Sequence, residues 1–313
     1  MRNKPILVVS GDPESIFFEI FFKSLKKCKF KSPLILIASH KLLVSQMRKI
    51  NFIKKVNLIN IDKLNNKKLS NNSINLINVN YESKNSKIYL KNCFEVAFEI
   101  IRSGHTKKFI NGPINKSNYL NKKYLGITEY ISKKFNKDKT AMLIYNKEIS
   151  VCPLTTHLPL KLVSKKISRN LIREKTILIN NFYKKVLGFT PKIAVTGLNP
   201  HCESILKFNE DSRIIAPSII SLKQKGFKIN GPFPADTIFL KQNRIKFDVI
   251  LGMYHDQVLS PIKTLKEYDA INITLGLPFL RVSPDHGPNK KMINKNFSNP
   301  ISLINAIKFL DSK

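Results

Sequence analysis

Short apolar runs that break off abruptly, separated by longer segments of helical spacing, limit what this chain can become. "PILVVSG" (5–11), "PLILIAS" (33–39), "KKFINGPI" (107–114), "PKIAVTGLNP" (191–200) and "FDVILGMYH" (247–255) all run into Gly, Pro or His. Between them lie amphipathic stretches such as "SIFFEIFFKSLKK" and "LKNCFEVAFEIIRSG". Continuous apolar runs fit strands buried on both faces, and the amphipathic stretches fit helices covering them. The pattern predicts an α/β fold with a largely parallel sheet. "SRNLIREKTILINNFYKKVLG" (168–188) predicts a helix stopped by its glycine. Residues 62–88 are rich in Asn, Lys and Ser and low in complexity, which predicts a surface excursion with at most a short strand pair. No internal repeat is visible.

At 313 residues and 42% hydrophobic content, the chain can build two sizeable cores or one large α/β unit. Its amino-terminal apolar stretch is too short for a secretory signal, and no run of about 18 apolar residues occurs. The expectation is a soluble cytoplasmic protein with no membrane partner. Cys28, Cys93, Cys152 and Cys202 form no CxxC pair, so reduced thiols are expected. A formal charge of +33 invites a nucleic-acid reading. Against it, 46 of the 54 basic residues are Lys and 8 are Arg, whereas base and phosphate recognition leans on the Arg fork. The lysines are dispersed, with no stacking aromatics among them. Together with 32 Asn and many Ile, they match an AT-rich codon bias. A solvated basic surface, with no nucleic-acid partner, is the expectation.

Open α/β sheets place their chemistry beyond the carboxyl ends of their strands. His157 in "TTHLPL", His201 in "GLNPH" and His255 in "MYHDQ" all follow apolar runs. One such histidine would ordinarily be structural, but three in equivalent positions match the donor set of an open catalytic metal site. Their separations of 44 and 54 residues fit no local zinc motif, so both readings stand. Neither GxGxxG nor GxxxxGK[ST] occurs, and 11 glycines are few for a chain of this length. Lys263, Asn272 and Arg281, spaced by nine, are candidates to hold a phosphate or carboxylate. Arg281 sits in an apolar stretch, where a charge needs a partner.

"GPINK", "TTHLPL", "GLNPH", "GPFPADTIF", "MYHDQ" with a lysine eight residues after its His, and "NITLGLPFLRVSPDHG" succeed one another along the chain. In this order they resemble the motifs of the 4-hydroxythreonine-4-phosphate dehydrogenase family of pyridoxal 5'-phosphate biosynthesis, over nearly the whole length. The resemblance implies two α/β/α domains with a central cleft, similar to isocitrate and isopropylmalate dehydrogenases and without the Rossmann fingerprint. The matching division is 1–122 plus 275–313 for a discontinuous first domain. Residues 123–274 form a second, carrying most metal and substrate residues. It also implies a homodimer with its active site at the interface, and as cofactors NAD and a divalent metal (zinc, cobalt or magnesium). His157, His201 and His255 would hold the metal, with His255 supplied across the interface. Thr128, Lys263, Asn272 and Arg281 would contact the small phosphorylated substrate. Asp236 and Asp256 are the catalytic candidates, for proton relay or support of the metal, with a cap or turn the equal alternative for Asp236. NAD-contacting residues stay unassigned.

The implied reaction oxidises 4-phosphohydroxy-L-threonine to a β-keto acid that decarboxylates to 3-amino-2-oxopropyl phosphate. Alternatives are a related phosphorylated hydroxy acid such as threonate 4-phosphate, a non-catalytic binding homologue, or a metal-dependent hydrolase. Three departures bear on that choice. The family's "GHTE" is "GITE" here, with Ile127 in place of a substrate-contacting His. Its "GDPAGIGPE" is "GDPESIFFE", and its Gly-rich acidic stretch after "NPH" is "CESILKFNED".

Overall fold

The computed structural model describes residues 3–64, 69–82, 85–115, 126–205, 208–284, 287–293 and 295–313. Two compact units result: residues 1–131 with 278–313, and residues 132–277. The sequence reading put its cuts at 122/123 and 274/275. The first of these lies outside the described residues, as do Lys116 of "GPINK" and Asp285 and His286 of "RVSPDHG".

In the first unit six parallel strands run in the order β3-β4-β2-β1-β5-β12. They are β1 (Ile6–Val9), β2 (Leu34–Ala38), β3 (Val56–Leu58), β4 (Ile74–Asn78), β5 (Lys108–Asn111) and, after the chain returns, β12 (Leu280–Pro284). Every residue of β1 and β2 is buried, the double-sided burial that their unbroken apolar runs predict. The helices are α1 (Phe17–Lys27), α2 (His40–Lys49), α3 (Ser86–Arg102), the start of α4 (Ile127–Lys134) and, after β12, α8 (Ile301–Asp311). The departure "GDPESIFFE" has a packing explanation. Phe17 and Phe18 are buried and stack on Phe21 and Phe22 one turn later, so an apolar helix starts there. Gly112 makes room for it, because a Cβ there would stand 2.5 Å from Phe17 Cδ2 and 2.3 Å from the Ser10 carbonyl.

The expectation for residues 62–88 needs correction. The segment holds β4, a buried strand parallel to both neighbours and lying between β2 and β3. Its asparagines mask it, yet they are spent on structure. Asn75 Nδ2 donates to the carbonyls of Leu34 (3.1 Å) and Ser70 (3.0 Å), while its Oδ1 accepts from Asn57 Nδ2 (3.2 Å). Asn71 ties the entry to β2 by accepting from Leu34 N and donating to the Phe30 and Ser32 carbonyls. Buried amides satisfied in this way cost little, whereas deleting one leaves its partners dry and unpaired.

The second unit contains β6 (Ala141–Tyr145), β7 (Ser150–Thr155), β8 (Ile193–Thr196), β9 (Ile229–Phe233), β10 (Val249–Tyr254) and β11 (Ile271–Leu275). Their order is β11-β6-β7-β10-β8-β9. β6 is antiparallel to both neighbours, and β7, β10, β8 and β9 are mutually parallel. Ile144, Val151, Ala194, Ile250, Val258 and Ile262 lie in its apolar core. α5 (Arg169–Phe182) starts at the expected place, where the Ser168 hydroxyl accepts from Leu171 N. After wider turns over 183–187 it ends on Gly188 at φ 85°, the left-handed stop that glycine supplies most easily. α6 (Ala216–Gln224) and α7 (His255–Lys266) follow. Among the described residues no helix is long and apolar enough to cross a membrane, and all four cysteines are free thiols.

Asn75→Ala should cost about 2 kcal/mol, a fall in melting temperature of about 4–8 °C, because three hydrogen bonds are lost inside a buried sheet. Calorimetric melting of the variant checks this.

Candidate active site

β10 inserts between β7 and β8, two strands formed long before it in the chain, so the strand order reverses there. A reversal of this kind opens a crevice at the carboxyl ends of the strands. Each of the three strands is followed there by a histidine: His157 two residues after β7, His255 directly after β10, and His201 five residues after β8. The rings of His157 and His255 lie 5.7 Å apart, centroid to centroid. His201 occupies a single turn, Pro200–Cys202, and is exposed. Among the described residues no group of three or more His, Cys, Asp or Glu is gathered closely enough to hold a metal. One chain therefore brings two of the three candidate imidazoles together, and the pair includes His255, which the resemblance has reaching in from a second copy.

Backbone strain marks the same places. His157 (φ 56°), His201 (φ 57°) and Cys202 (φ 63°) are all left-handed. A side chain in that conformation costs about 1–2 kcal/mol relative to right-handed backbone, a cost that concentrates at functional sites.

His255 opens α7, and its Nδ1 lies 2.6 Å from Asp256 Oδ1. A carboxylate that accepts there places a neutral ring's proton on Nδ1 and leaves Nε2 as the nitrogen with the lone pair. Asp256 is itself 80% exposed. Asp236 is exposed in the turn after β9, and with Asp211 and Glu203 it bears on Cys202. Burial first, then these carboxylates, push the Cys202 thiol up. Lys263 is half-buried on α7. Asn272, on β11, has a buried Oδ1 with no hydrogen-bond partner.

Thr128 and Arg281 belong to the first unit. Arg281, on β12, is 1% exposed. Its Nε donates to Asn111 Oδ1 (2.8 Å) and its Nη1 to Thr128 Oγ1 (3.0 Å). Burial pulls its guanidinium down to about 10, against the nearby Glu129 carboxylate. The sequence singled out Arg281 as a charge in need of partners, and the structure supplies them from β5 and α4. Ile127 is half-buried as the first residue of α4.

Residues that the sequence reading passed over hold this edge in place. The Thr155 hydroxyl donates to the Met253 carbonyl (2.8 Å), joining β7 to β10. Gln257 joins β10 to β8, with Oε1 accepting from Thr196 Oγ1 (2.8 Å) and Met253 N (2.7 Å), and Nε2 donating to the Gly197 carbonyl (2.8 Å). Asp211, 1% exposed, accepts from Leu198 N, Asn199 N and Asn199 Nδ2. The only signal for Gln257 was its place in "MYHDQ", and Asp211 gave none.

An α/β unit with imidazoles and carboxylates at a strand-order reversal has polar groups where open sheets place their ligands. The family model for pyridoxal phosphate biosynthetic protein PdxA matches residues 29–310, and the chain belongs to that family. It is 34% identical over 316 residues to a 4-hydroxythreonine-4-phosphate dehydrogenase of Sulfurihydrogenibium sp., covering 96% of each chain. It is 32% identical over 302 residues to a D-threonate 4-phosphate dehydrogenase of Pectobacterium atrosepticum, covering 91% of each. Among solved structures, a putative 4-hydroxythreonine-4-phosphate dehydrogenase from Salmonella typhimurium superposes with a TM-score of 0.85 over 99% of both chains, at 27% identity. These relatives are dehydrogenases, and the chain is an oxidoreductase of the same family.

Two outcomes are expected here. His157→Gly should be more stable than His157→Ala by about 1 kcal/mol, because glycine relieves the left-handed strain, and urea titration of the pair measures it. Arg281→Ala should cost about 3 kcal/mol of folding stability, since Asn111, Thr128 and Glu129 are left without their buried cation. Loss of activity in that variant is interpretable only beside its melting curve.

Proposed function

We propose that this protein oxidises the secondary alcohol of 4-phosphohydroxy-L-threonine, with NAD as hydride acceptor and a divalent metal present. The β-keto acid so formed loses carbon dioxide to give 3-amino-2-oxopropyl phosphate. The observation that carries the reading is the set of histidines following three adjoining parallel strands, with His157 and His255 paired at 5.7 Å, in a chain of this family.

The donor chemistry fits a divalent metal, since imidazoles are its common nitrogen ligands and the carboxylate on His255 Nδ1 leaves Nε2 free to bind. His157, His201 and His255 would hold it, and a metal shared with a second copy of the chain would complete a set of which one chain brings two together. When bound, the metal would polarise the substrate oxygen and NAD would accept the hydride.

The chain's own residues do the rest. Asp256 fixes the tautomer of His255, and its exposed carboxylate can take up the hydroxyl proton of a bound substrate. Asp236 is the other candidate for proton relay. Lys263 supplies a cation for phosphate, and the unpartnered Oδ1 of Asn272 accepts from a substrate N–H or O–H. Thr128 offers its hydroxyl from a position fixed by Arg281. After hydride loss the C–C bond to the carboxylate breaks, its electron pair passing into the enolate and then to a proton. Homodimerisation, with the site at the subunit interface, belongs to the same proposal.

A second substrate has specific support. Ile127 stands where the family's sequence has His and can offer no hydrogen bond, and a relative of 32% identity is named for D-threonate 4-phosphate. The test is NADH formation with each phosphorylated substrate and added cobalt, in wild type and in His157→Ala, His201→Ala and His255→Ala. Turnover by wild type and a loss of at least about 100-fold in each variant is expected, with bound metal lost in parallel. Full metal content and activity in all three variants would overturn the reading. Preference for the threonate ester would assign the second substrate.

A further inference from the structure

The amide of Gln257 joins two segments that carry candidate ligands. It projects from the third residue of α7, two residues after His255, back across the strand ends. Three of its hydrogen-bonding positions are filled: Thr196 Oγ1 and Met253 N donate to Oε1, and Nε2 donates to the Gly197 carbonyl. One side chain therefore holds the last residue of β8, the residue after it, and the end of β10. The backbone is shaped to admit it. A Cβ on Gly252 would stand 3.1 Å from Gln257 Oε1 and 2.2 Å from Val258 Cγ1. A Cβ on Gly197 would stand 2.7 Å from both Asp211 Oδ1 and Cys202 Sγ. From Gly197 the chain reaches His201 in four residues, held midway by Asp211 through Leu198 N and Asn199 N.

We propose that Gln257 is a positioning residue, which sets the loop bearing His201 against the helix start bearing His255 through its bond to the Gly197 carbonyl. The inference rests on the site proposed above for its chemical meaning, but the coupling itself is a property of the chain. A purely structural amide would contribute to melting and leave loop order and ligand affinity alone. A positioning amide also changes loop order and ligand affinity when only one of its bonds is removed.

Gln257→Glu does this. The carboxylate still accepts from Thr196 and Met253 but cannot donate to the Gly197 carbonyl, which it meets oxygen to oxygen. The expected result is a folded variant with a lowered melting temperature, since one bond is lost and two oxygens face each other. Amide exchange across residues 197–201, followed by mass spectrometry, should speed up about tenfold. Cobalt titrated into metal-free protein should bind about 10–100-fold more weakly. The KM for substrate should change less than kcat. Thr196→Val, which removes one bond to Oε1 and keeps the volume, should move exchange in the same direction by a smaller factor, and it decides the matter if Gln257→Glu does not fold. Wild-type exchange over 197–201 in the folded variant would overturn the proposal, as would loosening confined to α7. If wild type itself binds no cobalt and turns over no substrate, the proposed function fails, and the exchange measurement still decides the coupling.

Discussion

The parallel insertion of β10 between β7 and β8 is the constraint on which the candidate site depends. Parallel neighbours lie about 4.8 Å apart and point the same way, so whatever follows each strand emerges at one edge. Three adjacent strands then bring residues more than forty positions apart in sequence into one neighbourhood. Side chains that bond across the strand ends finish the arrangement: Thr155 to the Met253 carbonyl, and Gln257 to Thr196, Met253 and Gly197. These strands are held by ladders on both sides of β10 and buried on both faces, so the edge from which the histidines leave is part of the core. Flexible loops alone would not hold His157 and His201 in left-handed backbone.

Arg281 shows what a rare residue does in a chain so rich in lysine. Its Nε and Nη1 reach Asn111 and Thr128 from a fully buried position. An ammonium could neutralise Glu129 there, but it lacks the planar fork that addresses two acceptors in fixed directions. A lysine pair such as Lys290 with Glu14 is by contrast exposed on both sides and adds little to stability. Charge in this protein is thus more than a solvated surface, since Arg281 is a buried fork and Lys108 a buried ammonium, and the net figure of +33 counts all of them alike.

The parallel architecture and the placement of the three histidines after strand ends could be read from the sequence, because both are written in short range. A strand such as "FDVILGMYH" declares its burial and its end within nine residues. β4 could not be read in this way, since the cue that gives away a buried strand is an unbroken apolar run. In "INLIN" that run is interrupted by Asn75, whose amide is satisfied by Leu34 and Ser70, and by nothing local enough to notice. The same limit hid Asp211. A carboxylate that caps backbone N–H groups thirteen and twelve residues away looks, in sequence, like any acid on a helix. Strain was equally invisible, because φ at His157 is set by what the loop must connect and not by the residues within it.

Substitution toward Lys, Asn and Ile has different costs at different places in this fold. On the surface it is nearly free, and inside the first unit asparagine can be absorbed wherever two carbonyls face it, as at Asn71 and Asn75. At the strand ends of the second unit no such exchange exists. A side chain on Gly197 would collide with Asp211 and Cys202, and one on Gly252 with Val258. Asparagine at position 257 would be one methylene too short to span β10 and β8 together. Ile127 belongs to neither category. It is half-buried at the start of its helix and its side chain can make no hydrogen bond. Folding therefore does not select against it, which is why a change of this kind can pass where one at Gly197, Gly252 or Gln257 cannot.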